Sequence, residues 1–209
     1  VQKDANADWV HVRMKMMDFK APHAAPLIAY ADEVAEALEL GPGGIPYPDP
    51  VHGGTGAEVL FLFSHPGDQA IRDRGGSGLL SLENKDVASR NCLDECVRIG
   101  LDVDRVTLWN AVPQPLPKGK NPGVEDLRGG ARWLPGLLDL LPKVQVVALL
   151  SRNAETTWDA ALPNPSLDHF DPVRGPGPGQ QGTATRGARQ RLTDVFDEIA
   201  KRLDTTPPT

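Results

Sequence analysis

Apolar and polar positions fall into two regimes along this chain: short unbroken apolar runs, and longer stretches where apolar residues recur at helical spacing. The sharpest run, Glu58-Val59-Leu60-Phe61-Leu62-Phe63, stops at the turn-forming cluster Ser64-His65-Pro66-Gly67-Asp68. An uninterrupted Val/Leu/Phe run suits a strand covered on both faces in a parallel sheet, and Pro-Gly directly after it turns the chain. Val103 to Trp109 reads as a second strand ending at Asn110, Val144 to Leu150 as a third, and Ser166 to Phe170 as a weak fourth that delivers His169. Helical spacing covers Pro22 to Leu40, Val87 to Ile99, Asp126 to Leu141, Ser151 to Trp158 and about Ala184 to Leu203. Asp86 or Asn84 is placed to cap the second of these helices, and glycines at 41 and 100 end the first two.

Strands alternating with helices through right-handed crossovers predict an α/β fold. The expected form is a three-layer α/β/α sandwich around a mostly parallel, four-stranded sheet. The 209 residues fit a single domain. Residues 1–21, which carry Met14, Met16, Met17 and Trp9, read as an N-terminal arm packed on the body, and 204–209 as a flexible tail. Proline and glycine cluster in a few loops, so function is expected there. In open α/β sheets ligands bind beyond the carboxyl ends of the strands. That rule singles out Ser64, His65 and Asp68, then Asn110, then His169.

A formal charge of −6 argues against nonspecific coating of nucleic acid, although it leaves room for a local basic face. Cys92 and Cys96 lie four apart on one predicted helix face, where core packing is the ordinary fate. No apolar run is long enough to span a membrane and no secretory leader pattern is visible, so a soluble, cytoplasmic protein without membrane association is expected. There is no P-loop, no G-x-G-x-x-G after a strand and no nucleophile elbow.

The order and spacing of these strand-end motifs resemble the uracil-DNA glycosylase superfamily. Its members carry a first motif such as GEAPG, GINPG or GQDPYH after the first strand, and a second such as HPSP after the last. The corresponding segments are Phe63-Ser64-His65-Pro66-Gly67 and His169-Phe170-Asp171-Pro172. The resemblance runs from about Asp49 to the final helix, and takes in Gly76-Ser77-Gly78-Leu79-Leu80, the stretch from Asn84 to Asn91, and Trp109-Asn110-Ala111-Val112-Pro113.

The resemblance implies a monofunctional base-flipping hydrolase that cuts the bond between a deaminated base, such as uracil, and its sugar in DNA. It implies no metal and no other cofactor, and a protein that acts as a monomer. By match to the second motif His169 donates to the base, and Asn110, whose amide both donates and accepts, reads its edge. Phe63, Leu79 and Leu80 are the candidate apolar contacts to the base. Arg72, Arg74, Lys118, Arg174, Arg186 and Arg189 are the candidate contacts to the DNA backbone. The first motif departs from the family, because Ser64 and His65 stand where its members have Glu, Asp or Asn. Asp68 and His65 are then the candidates for positioning water, and a catalytically weak or inactive relative that still binds uracil-containing or abasic DNA is the alternative.

Overall fold

A computed structural model describes residues 2–205. In chain order the helices are α1 (Trp9–Met17), α2 (Ala25–Ala37), α3 (Val87–Ile99), α4 (Val124–Ala131), α5 (Leu134–Asp139), α6 (Arg152–Ala161), α7 (Gln180–Thr183) and α8 (Ala188–Thr205). The strands are β1 (Tyr47–Pro48), β2 (Val59–Phe63), β3 (Leu79–Leu80), β4 (Val106–Asn110), β5 (Val146–Leu149) and β6 (Val173–Arg174).

The main sheet has the order β4-β2-β5-β6, and every pairing in it is parallel. Strand β2 is central, and Val59, Leu60, Phe61 and Leu62 are fully buried, which explains why its sequence shows no polar alternation. In register across the sheet, Phe61 stands between Leu108 and Ala148, and its ring meets Phe196 of α8 edge-on at 5.4 Å. On the other face Trp109, the partner of Leu62, lies 5.8 Å from Tyr30 of α2. Helices α3 and α8 therefore cover one face, and α2, α4, α5 and α6 the other. This split follows from right-handed crossovers, because the chain steps from β2 outward to β4 and then back across the sheet to β5 and β6.

The expected three-layer α/β/α arrangement is present, with local corrections. The fourth strand is Val173–Arg174, paired with Ala148 and Leu149; the segment predicted as a strand at 166–170 is instead a single 3₁₀ turn at Pro165–Leu167 capped by Asn164. The helix predicted over 126–141 is broken into α4 and α5. Pro135 at the start of α5 has no N–H to donate and its ring crowds the preceding turn. Residues 103–105 form a 3₁₀ turn before β4, and Gly187, at φ +75°, separates α7 from α8. The last helix runs through Asp204 to Thr205, so that part of the expected tail is helical, and 206–209 lie outside the described residues. Strands β1 and β3 form a separate parallel pair not anticipated from the sequence.

The N-terminal arm is helical and docks through charge. Lys15, only 3% exposed, sends its ammonium to Asp49 Oδ2 at 2.6 Å and to the Glu83 carboxylate, both of them buried. Burial works to raise the Asp49 carboxyl, but the pull of its buried neighbours, His52 and Lys15, outweighs it and leaves the group below the usual carboxylate range. Glu83 moves the same way: burial opposes ionisation, while bonds from Lys15 and from the backbone N–H of Gln2 favour it more strongly. Farther along, Asn6 Nδ2 donates to Asn84 Oδ1 at 3.0 Å.

Candidate functional site

Beyond the carboxyl ends of β2 and β4, on the face covered by α3, lies a cavity of about 370 Å³. Its size is at the small end of the range that holds small ligands. Phe63 and Asn110 are register partners and Leu108 is two residues before Asn110, so all three present their side chains to this face. Leu80 at the end of β3 with Ser81 after it, Val87 and Ala88 at the start of α3, and Gly179 and Gln180 beyond β6 add to the wall. The lining is predominantly apolar, with a few polar groups.

The ladder continues past both strand ends. Ala111 N–H donates to Phe63 O at 2.7 Å and Val112 N–H to Ser64 O at 2.9 Å, which fixes the backbone of the turn that follows. Gly130 of α4 approaches so closely that a Cβ there would lie 1.7 Å from Ala111 O. Gly76 plays the same part on the other side of the turn, where a Cβ would fall 2.4 Å from Asp68 O.

Asn110 is 4% exposed, and no group among the described residues hydrogen-bonds its side-chain amide. This amide opens onto the cavity, where a ligand edge offering both an acceptor and a donor would pair with it. At the wall the buried Asn84 and the half-buried Asp86 are already engaged. Asn84 donates to Leu79 O at 2.8 Å and accepts from Ser77 Oγ and Asn6, while Asp86 caps α3 by accepting from Ser89 N–H at 2.8 Å.

His65 also lines the cavity, and its Nδ1 is 2.9 Å from Ser64 Oγ, which in turn accepts from Asn153 Nδ2 at 2.8 Å. Burial, assisted by the charge of Arg74, holds the imidazole below its ordinary pKa, so it is neutral near pH 7. Asp68 reaches the same rim but is paired with Arg74 at 2.7 Å, and Arg74 also donates to Leu116 O. On the far side of the His65–Asp68 turn lies a second, more polar hollow of about 240 Å³, lined by Arg74, Lys118, Lys120, Asn121 and Gln181.

The structure thus brings together Phe63, Ser64, His65, Asp68, Leu80 and Asn110, and sets Arg74 and Lys118 beside them. Leu79 is fully buried in β3 outside the cavity lining, paired with Tyr47. His169 is not brought to the cavity. It precedes β6, is exposed, and lies against Phe170 with ring centroids 4.0 Å apart. The chain that follows the true last strand is Gly175-Pro176-Gly177-Pro178-Gly179-Gln180, so Gln180 is what that strand end presents.

Among the basic candidates, Arg72 packs over Trp9 and bonds Met16 Sδ, and Arg174 pairs with Asp159 at 2.7 Å in a separate groove beside α8. Arg186 and Arg189 are exposed. Asn153 and Gln180 were not singled out from the sequence, although Asn153 obeys the same rule as Asn110, since it follows a buried strand by a few residues. Cys92 and Cys96 are free and buried, and burial pushes both thiols up.

Among the described residues no group of His, Cys, Asp and Glu is arranged to hold a metal ion, and no helix is long and apolar enough to cross a membrane. No protein-family model matches the chain, and no curated protein matches it either.

Proposed function

We propose that the protein is a DNA glycosylase that hydrolyses the bond between uracil or a related deaminated base and its deoxyribose. The observation that carries this reading is the unpartnered Asn110 amide, buried in an apolar cavity at the carboxyl edge of a parallel sheet. A flipped base would lie against Phe63, Leu80 and Leu108 and exchange hydrogen bonds with Asn110. The polar hollow beside it, with Lys118, Lys120 and Arg74, suits the flanking phosphates. The negative charge of the whole chain does not oppose this, because the basic groups are local.

In the reaction the C1′–N bond breaks and its electron pair leaves with the base. Water adds its oxygen to C1′ and gives up a proton. Of the two carboxylates that line the cavity Asp86 is committed to the α3 cap, which leaves Asp68 for the task, and its negative charge also favours the sugar cation that develops. To serve as base it has to share its carboxylate between Arg74 and the water.

The test is release of base from single- and double-stranded oligonucleotides carrying uracil, hypoxanthine or xanthine, read as strand scission after alkali. Asp68→Asn keeps the shape and should lower the rate by about 10²–10⁴-fold, with substrate binding little changed. No release from any of these substrates would overturn the enzymatic reading.

A second reading, a silent binder of uracil-containing or abasic DNA, is favoured by one observation: His169, the donor implied by the resemblance, is exposed away from the cavity. It expects salt-sensitive binding that prefers damaged over undamaged duplex, without base release. Equal affinity for both duplexes would exclude it.

A further inference from the structure

We infer that Asn153, acting through Ser64, fixes the hydrogen position on His65 so that its Nε2–H donates into the cavity and stabilises the departing base. The inference rests on the glycosylase reading for its chemistry, but its geometry stands apart from it.

The departing pyrimidine carries negative charge on its oxygens, so the site needs a hydrogen-bond donor aimed at it. Asp68 is an anion and Asp86 is committed to the α3 cap. Asn84 has an amide hydrogen on Leu79 O and its oxygen on Ser77 and Asn6, and Asn110 reads the base edge. Gln69 and Gln180 also line the cavity but are exposed, whereas the half-buried His65 is held by Ser64 and has an open nitrogen, since among the described residues no group bonds its Nε2.

Which nitrogen carries the hydrogen follows from the chain of partners. The Asn153 amide nitrogen can only donate, so Ser64 Oγ accepts from it at 2.8 Å. The Ser64 hydrogen is then free to point at His65 Nδ1, 2.9 Å away, and although the hydroxyl could also accept a second bond, we assign it as the donor, with Nδ1 the acceptor and the ring hydrogen on Nε2. A neutral imidazole in this role polarises an oxygen without adding a full charge that would oppose the sugar cation. Asn153 sits in the first turn of α6, held there by the Ser151 cap, so the relay is anchored on a helix terminus rather than a free loop.

The experiment reads the ring directly. At about pH 8, where the imidazole is neutral, the ¹⁵N chemical shifts of the His65 ring, assigned by comparison with His65→Gln, should show Nε2 protonated and Nδ1 bare. Asn153→Asp replaces the donor with an acceptor of the same shape, so Ser64 turns its hydrogen to the new carboxylate and His65 should switch to the Nδ1–H form. On a released-base assay this variant should lose about 10²–10³-fold in kcat, the usual cost of one such donor, with KM nearly unchanged. Asn153→Gln, which keeps the donor, should retain more of the rate.

An Nδ1–H form of His65 in the unmutated protein overturns the relay whatever the activity, and needs no variant to fold. A tautomer switch in Asn153→Asp without loss of kcat would overturn the catalytic role while leaving the positioning. Absence of base release by the unmutated protein would count against the glycosylase reading instead, and the spectra would still decide the relay.

Discussion

Two sides of the same loop, residues 77–84, show opposite treatment of polar groups. Toward the N-terminal arm, Glu83 meets Lys15 and, through it, Asp49, so that a buried cation is matched by carboxylates on either hand. Toward the sheet edge, Leu80 and Ser81 border a cavity where Asn110 has no protein partner and which His65 also lines. The charges of the first region are paired within the protein, although Asn6 Oδ1 and His52 Nδ1 beside them have no partner among the described residues, whereas the Asn110 amide opens onto the cavity. Paired buried charge holds a structure together, and an amide that faces a cavity without a protein partner is free for a ligand.

The largest effect should come from opening the closed side. Lys15→Met leaves two buried carboxylates uncompensated, and should cost about 3–5 kcal/mol in urea unfolding. Adding Asp49→Asn and Glu83→Gln to it should recover most of that loss. If Lys15→Met alone is neutral, the two sides do not differ as described.

The open side should respond in the opposite currency. Asn110→Ala should remove about 10²–10³-fold of base release, comparable to deleting one well-aimed donor, while shifting the unfolding midpoint far less than Lys15→Met. A stability loss as large as that of Lys15→Met would mean that Asn110 is structural.

Acid separates the regions further. The folded pKa values of Asp49 and Glu83 are depressed, so their stabilisation is complete above the ordinary carboxylate range, about pH 4, and is lost as pH falls through the lower folded values. Unfolding followed from pH 6 to pH 2 should show that loss at low pH, and the triple variant should show less of it. Smallest of all, Lys118→Ala should leave stability unchanged and reduce the slope of log binding against log salt by about one, read with an uracil-containing duplex.

The legible parts of this molecule are those where one residue pattern has one physical outcome. The β2 run and its Ser64–Asp68 turn could be read because a strand buried on both faces admits no polar residue until it ends. Asn110 followed from the same rule. His169 misled because β6 has only two residues, too short to leave a periodic trace, so the strand was assigned to 166–170 and its end was misplaced. Lys15 is invisible in the sequence for a different reason: a lysine in a short helix carries no mark of burial, and only the folded chain brings Asp49 and Glu83 to it. Asn153 carried no sequence signal beyond its position after β5, and its partnership with Ser64 depends on how α6 starts.

The docking of the arm also sets an order of assembly. Asn6 and Asn84 are 78 residues apart, and the Lys15 cluster likewise waits for Glu83. During synthesis the arm emerges before the segments it docks on, because Glu83 and Asn84, which fasten it, are made after β2 and the loop that follows it. Until then the arm exposes Trp9, Met14 and Met17, as it still does in the finished fold, and its lysine remains hydrated. A nascent chain halted short of Glu83 has no complete seat for the Lys15 ammonium, so the arm waits on a segment made well after it.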